Sequence, residues 1–136
     1  MGVQSVFAIE ISLLILMQLL LSINVVRLRR KYKISLKDSG NIYLIRAIRA
    51  QANFIEYVPI ILVAHLSLVL FDINFILFSI LASLMIVGRV LHIFSIIYIE
   101  SKEPPIFIFR AIAMVCTFAS MLLSSIALLI ISWMNF

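Results

Sequence analysis

Four apolar stretches, each long enough to cross a bilayer, fill most of this 136-residue chain. They run roughly over Val3–Val26, Ala47–Phe71, Ile73–Ile99 and Pro105–Trp133. A span needs ~20 residues, because the hydrocarbon core is thick and a helix rises slowly. In lipid the backbone amides must be satisfied within the segment, so each stretch reads as an α-helix. The breaks fall at Arg27–Arg46, at a turn over Asp72–Asn74, and at Glu100–Pro104. Short connections imply antiparallel neighbours packed side by side. The expected fold is an all-α integral membrane protein, an antiparallel four-helix transmembrane bundle forming one domain over residues 1–136.

Composition agrees. Hydrophobic residues make up 65% of the chain and charged residues 12%, against about 25% charged in an ordinary soluble domain. A short chain in water has too much surface to hide that much apolar side chain. A soluble enzyme, a disordered chain and a disulfide scaffold are excluded. The single cysteine, Cys116, has no intrachain partner and reads as packing. The first apolar run lacks a basic leader and continues past Glu10, so it reads as a span rather than a cleaved signal.

The net charge is +5, and most of the cations cluster between Arg27 and Arg49. Flanked by apolar runs, this cluster reads as a loop at anionic head groups, not as a nucleic-acid surface. Lys102 and Arg110 flank the third break, whereas the Asp72 turn carries no Lys or Arg. The positive-inside bias then puts the first and third loops in the cytoplasm and both termini on the opposite side.

Ionisable residues inside spans are costly, so their positions carry the most information. Arg46, Arg49, Asn53 and Glu56 are spaced three, four and three apart, which puts them on one face of the second helix. Gln51 lies off that face. A polar stripe cannot face lipid, so it faces another helix or a wet pocket. On the third helix Arg89 and His92 share a face. Arg89 lies roughly 16 Å from the cytoplasmic end of its helix, at about 1.5 Å per residue, and Glu56 lies at a similar depth. A buried Arg89–Glu56 pair is the simplest arrangement that makes both tolerable. Ser22 and Arg29 share a face of the first helix, and Arg110 sits about a turn into the fourth. In the other half, Glu10 and His65 lie at matched depths and can pair. Arg27, Arg30, Lys31, Lys33 and Lys37 read as solvated loop.

A half-buried pocket with several Arg, amides, a Glu and a Tyr suits a small zwitterion with more than one carboxylate. An arginine in low dielectric also stabilises a thiolate. No metal is called for by these residue types.

The string Arg46-x-x-Arg49-Ala-Gln51-Ala-Asn53-x-x-Glu56-Tyr57-x-Pro59, followed by Gly88-Arg89-x-x-His92, resembles the MAPEG family, the membrane-associated proteins in eicosanoid and glutathione metabolism. Length, four spans and a basic first loop resemble it too, so the likeness covers essentially the whole chain. The resemblance implies a homotrimer that binds glutathione between subunits near the cytoplasmic face. It implies that Arg49, Gln51, Asn53, Glu56 and Tyr57 hold glutathione, joined by Ser22, Arg29, Arg89 and His92. Arg110 is the candidate for the arginine that stabilises the glutathione thiolate. Family members often carry a tyrosine shortly after the third-helix motif; here Phe94 and Ile96 stand there, and the nearest phenol is Tyr98.

The leading functional expectation is a glutathione-dependent transferase or peroxidase acting on a lipophilic electrophile or lipid hydroperoxide delivered through membrane lipids. A non-catalytic member of the same fold, binding lipid or a partner protein, is the alternative. From another class, a small proton-coupled multidrug exporter would use Glu10 as its membrane carboxylate.

Overall fold

The computed structural model describes residues 2–99 and 106–134, and four long helices make up most of them. They are α1 (Val3–Tyr32), α2 (Ile42–Leu70), α3 (Phe75–Phe94) and α4 (Ile108–Met134). A π-helical turn, Ser95–Ile99, continues α3 without a break. Each rod is long and apolar enough to cross a membrane, and no strand occurs among the described residues. The chain is an all-helical integral membrane protein.

The first break is shorter than hydropathy suggests. The expected 27–46 loop shrinks to the nine residues between α1 and α2, because α1 runs on to Tyr32 and α2 begins at Ile42. Arg27, Arg29, Arg30, Lys31 and Arg46 are therefore helical residues rather than loop. Arginine and lysine are good helix formers, so the helices outlast the apolar stretch that marks them in the sequence. Lys33 ends α1 in the left-handed region, its N–H directed at the Arg29 and Arg30 carbonyls. The Asn41 side chain caps α2 by accepting from the Leu44 N–H. Asn74 caps α3 in the same way, accepting from Ile76 and Leu77. The second turn falls where expected. The third break, with Lys102, lies outside the described residues.

Side-chain bonds fix the register of the bundle. Glu10 of α1 meets His65 of α2, and Ser22 meets Gln51. Early residues of α1 thus meet late residues of α2. Between α3 and α4, Leu81 meets Ser120 and Arg89 meets Thr117. Gly88 is required by this contact: a Cβ there would stand 2.7 Å from Thr117 Oγ1 and 3.0 Å from the Ala113 carbonyl. The core is a column of aliphatic and aromatic side chains, from Phe78 and Leu68 at one end, through Leu14, Phe54 and Met85, to Leu44 and Val25 at the other. Outside, long apolar side chains such as Leu20, Leu70 and Leu129 are exposed, as suits a surface solvated by lipid. Pro59 lies inside α2, which continues through it.

Candidate functional site

The expected stripe on α2 has two edges. A helix turns by about 100° per residue, so residues seven apart nearly overlie one another. Arg46 and Asn53 form one edge and are partly buried; Arg49 and Glu56 form the other and are exposed. Arg46, Arg49 and Asn53 wall a cleft of about 390 Å³ with His92, Arg110 and Met114. Its floor is completed by Ile45 and by Ile96 of the π-helical turn. Three elements thus bring three arginines, an amide and an imidazole to one opening. Guanidinium forks bind carboxylates through paired, charge-assisted hydrogen bonds, so the cleft is chemically suited to an anion with more than one carboxylate.

Arg89 is fully buried behind this cleft, but its partner is not Glu56. Its Nη1 donates to Asn53 Oδ1 at 2.7 Å, its Nη2 donates to Thr117 Oγ1, and the guanidinium packs against the Tyr57 ring at 5.6 Å. The expected Arg89–Glu56 pair is corrected on this point. Matching depth was right, since Asn53 lies one turn from Glu56, but depth says nothing of azimuth. Glu56 is turned outward, and the buried guanidinium donates to the neutral oxygens of Asn53 and Thr117 instead. Tyr57 also lies edge-on to Phe118, with ring centroids 5.7 Å apart. Thr117 was not singled out in the sequence. The signal was there: Ala113, Thr117, Ser120 and Ser124 make a buried stripe of small residues on one face of α4, the pattern that lets membrane helices approach closely.

Gln51 and Ser22 stand apart from that cleft, on the α1 side of α2. Gln51 Nε2 donates to Ser22 Oγ at 2.9 Å. Arg29 folds back over the loop that follows α1, donating to the Ser35 and Lys37 carbonyls. The described chain therefore carries two separate groups of candidate residues. Arg49, Asn53, His92 and Arg110 line one cleft; Ser22, Gln51 and Arg29 lie toward α1; Glu56 points outward between neither. Tyr98 lines a different groove, between α1 and α3.

At the far end of the bundle Glu10 and His65 do pair. His65 Nδ1 lies 2.8 Å from Glu10 Oε1 and 3.0 Å from Oε2, and Nε2 lies 3.0 Å from Ser124 Oγ. Both residues are fully buried. Ser120 lies beside the ring and donates to the Leu81 carbonyl, and Phe78 meets the imidazole edge-on. Contacts from all four helices thus close around this pair.

The model of the MAPEG family matches residues 7–133. The chain belongs to the MAPEG family. No curated protein and no solved structure matches it. MAPEG membership makes this an integral membrane protein related to glutathione and eicosanoid metabolism, a family that holds glutathione transferases, related enzymes and non-catalytic members. The match extends across all four helices and over every residue of both clusters, so the cleft and the Glu10–His65 pair are both parts of a MAPEG domain.

Proposed function

We propose that this MAPEG protein is a glutathione-dependent transferase or peroxidase for lipophilic substrates, working as a homotrimer of antiparallel four-helix bundles. The observation that carries the reading is the convergence of Arg46, Arg49, Asn53, His92 and Arg110 on one cleft. Arg46 and Arg49 are suited to the glutathione carboxylates and Asn53 to a peptide group. Arg110 is suited to holding the sulfur as thiolate, the form that attacks an electrophile or peroxide. The lipid would deliver the apolar substrate laterally, and the cytoplasm would supply glutathione to the basic end of the bundle.

The trimer reading has its own support. Glu56 lies about 21 Å along α2 from Ile42, within the apolar span, and is exposed with no hydrogen bond or ion pair to another described residue. A bare carboxylate against hydrocarbon is expensive. A neighbouring subunit covering the Arg49–Glu56 edge removes that cost. If that neighbour presents its α1 side, Ser22, Gln51 and Arg29 join Arg49, Asn53, Glu56 and Tyr57 around one glutathione.

The deciding experiment is equilibrium glutathione binding to detergent-solubilised protein, with thiolate absorbance followed on addition. Binding with a thiolate signal that Arg110→Ala abolishes is the expected result; a signal unchanged in Arg110→Ala removes that residue from the role.

A second reading, a non-catalytic MAPEG protein, is favoured by one observation: no phenol is among the described residues that line this cleft, and Ile96 is one of them. Glutathione binding without turnover of a chloro-nitrobenzene or a lipid hydroperoxide would select it. The exporter reading rests on Glu10, which is fully buried and paired with His65.

A further inference from the structure

Behind the cleft, hydrogen bonds join three helices, and the chemistry of each group fixes which partner donates. Thr117 Oγ1 of α4 lies 3.0 Å from the Ala113 carbonyl, which can only accept, so the hydroxyl donates there. The Thr117 oxygen is then left to accept, which it does from Arg89 Nη2. Arginine carries donors and no acceptor. The Asn53 atom that meets Arg89 Nη1 at 2.7 Å is therefore the carbonyl oxygen Oδ1, since the reversed amide would set donor against donor. Arg89 Nε finds no partner, so the guanidinium is oriented through its two Nη groups. Arg89 is fully buried, whereas Asn53 is partly buried and lines the cleft. With Oδ1 turned back to Arg89, the amide meets the cleft through Nδ2, a donor.

We propose that Arg89, oriented by Thr117, is a positioning residue that sets Asn53 as a donor in the cleft and so selects a ligand that places an oxygen there. That oxygen belongs to a carboxylate or a peptide carbonyl; an ammonium or another N–H would meet Nδ2 donor to donor. An unconstrained asparagine amide turns over easily and can serve either class. Here reversal would strip a buried guanidinium of one of its acceptors, and a buried donor without a partner is expensive. The two anchors lie on α4 and α2, so the fork cannot follow one without leaving the other. A site whose polar groups are held in one orientation rejects a ligand that leaves them unpaired. The proposal rests on the glutathione reading of this cleft and gives Asn53 a polarity within it. One of the tripeptide's oxygens goes to Asn53, and its ammonium is kept from that place.

The test sets glutathione affinity, read by calorimetric titration, against thermal unfolding in detergent for the full chain and two changes at Asn53. Asn53→Ala takes an acceptor from Arg89 and a donor from the cleft, so the midpoint should fall and affinity should drop about tenfold. Asn53→Asp keeps an oxygen toward Arg89 but puts a second oxygen where Nδ2 stood. Its midpoint should fall less than that of Asn53→Ala, while its affinity drops as far or further. A purely structural contact predicts the opposite, with affinity following the midpoint. Unchanged affinity in Asn53→Asp overturns the proposal, as does a midpoint at or below that of Asn53→Ala. Thr117→Val keeps the shape of the side chain but offers Nη2 no oxygen. It should weaken glutathione binding severalfold, with Thr117→Ser restoring it; unchanged affinity in Thr117→Val also overturns the proposal. Absence of glutathione binding by the unmodified chain overturns the glutathione reading and this proposal together, whereas unchanged affinity in Asn53→Asp overturns this proposal alone.

Discussion

The two ends of this bundle handle membrane-buried charge in opposite ways. At one end Glu10, His65, Ser120 and Ser124 close on one another, fully buried, with contacts drawn from all four helices. At the other, Arg46, Arg49 and Arg110 gather like charges around an opening of about 390 Å³. A closed set of complementary partners lowers the cost of burying polar groups and locks helix register. An open cluster of guanidinium groups is suited to something else: forks of this kind bind carboxylates through paired, charge-assisted hydrogen bonds. The closed knot is thus a fixture of the fold, and the open cluster is the one we propose as the binding site. Arg89 belongs with the knot in kind though not in place, since Asn53 and Thr117 engage its guanidinium from two other helices.

Breaking the closed end should have the largest effect. Glu10→Ala or His65→Ala leaves a buried ionisable group without its partner, and such losses cost about 3–5 kcal/mol. Thermal unfolding in detergent should show a strongly lowered midpoint, while the folded fraction keeps its ligand affinity. At the open end, Arg49→Ala and Arg110→Ala should each lower glutathione affinity about tenfold to a hundredfold, the worth of a charge-assisted hydrogen bond of about 1.5–3 kcal/mol. Calorimetric titration reads that loss, and the unfolding midpoint should fall less than in Glu10→Ala. A midpoint that falls as far as in Glu10→Ala would erase the contrast between the ends.

Between the two ends, Gly88→Ala puts a methyl group into the α3–α4 contact, where Thr117 and the Ala113 carbonyl leave no room. Overpacking of this kind costs about 1–3 kcal/mol. It should also displace Thr117 from Arg89, so a fall in glutathione affinity is expected to accompany the lowered midpoint. The smallest effect belongs to Gln51→Ala, which removes one partly buried hydrogen bond to Ser22, worth about 0.5–1.5 kcal/mol. Its stability change should be near the limit of detection, whereas a clear loss of glutathione binding would support the shared, intersubunit site.

Much of this contrast was legible before the structure. The four spans followed from hydropathy, and the pairing of Glu10 with His65 followed from matched depth and complementary charge. The face shared by Arg46, Arg49 and Asn53 followed from helical spacing. What depth and spacing lacked was azimuth between helices. They set Arg89 and Glu56 at one level and implied a pair, but Glu56 sits on the outer edge of α2 and Asn53 takes its place. Hydropathy also stopped at Val26, because a helix that leaves the bilayer keeps its hydrogen bonds but loses its apolar letters; α1 continues to Tyr32. The π-helical turn at Ser95–Ile99 has no spacing signature in so uniformly apolar a run, yet it supplies Ile96 to the cleft and Tyr98 to the opposite flank.

The account turns on the claim that the open basic cleft binds glutathione and the closed knot does not take part. Calorimetric titration of glutathione into three solubilised proteins tests it: the unmodified chain, Arg49→Ala, and the folded fraction of Glu10→Ala. The account predicts saturable binding by the first and third with matching affinity, and a loss of about tenfold or more in Arg49→Ala. Absence of binding by the unmodified protein, or equal affinity in Arg49→Ala, would contradict it.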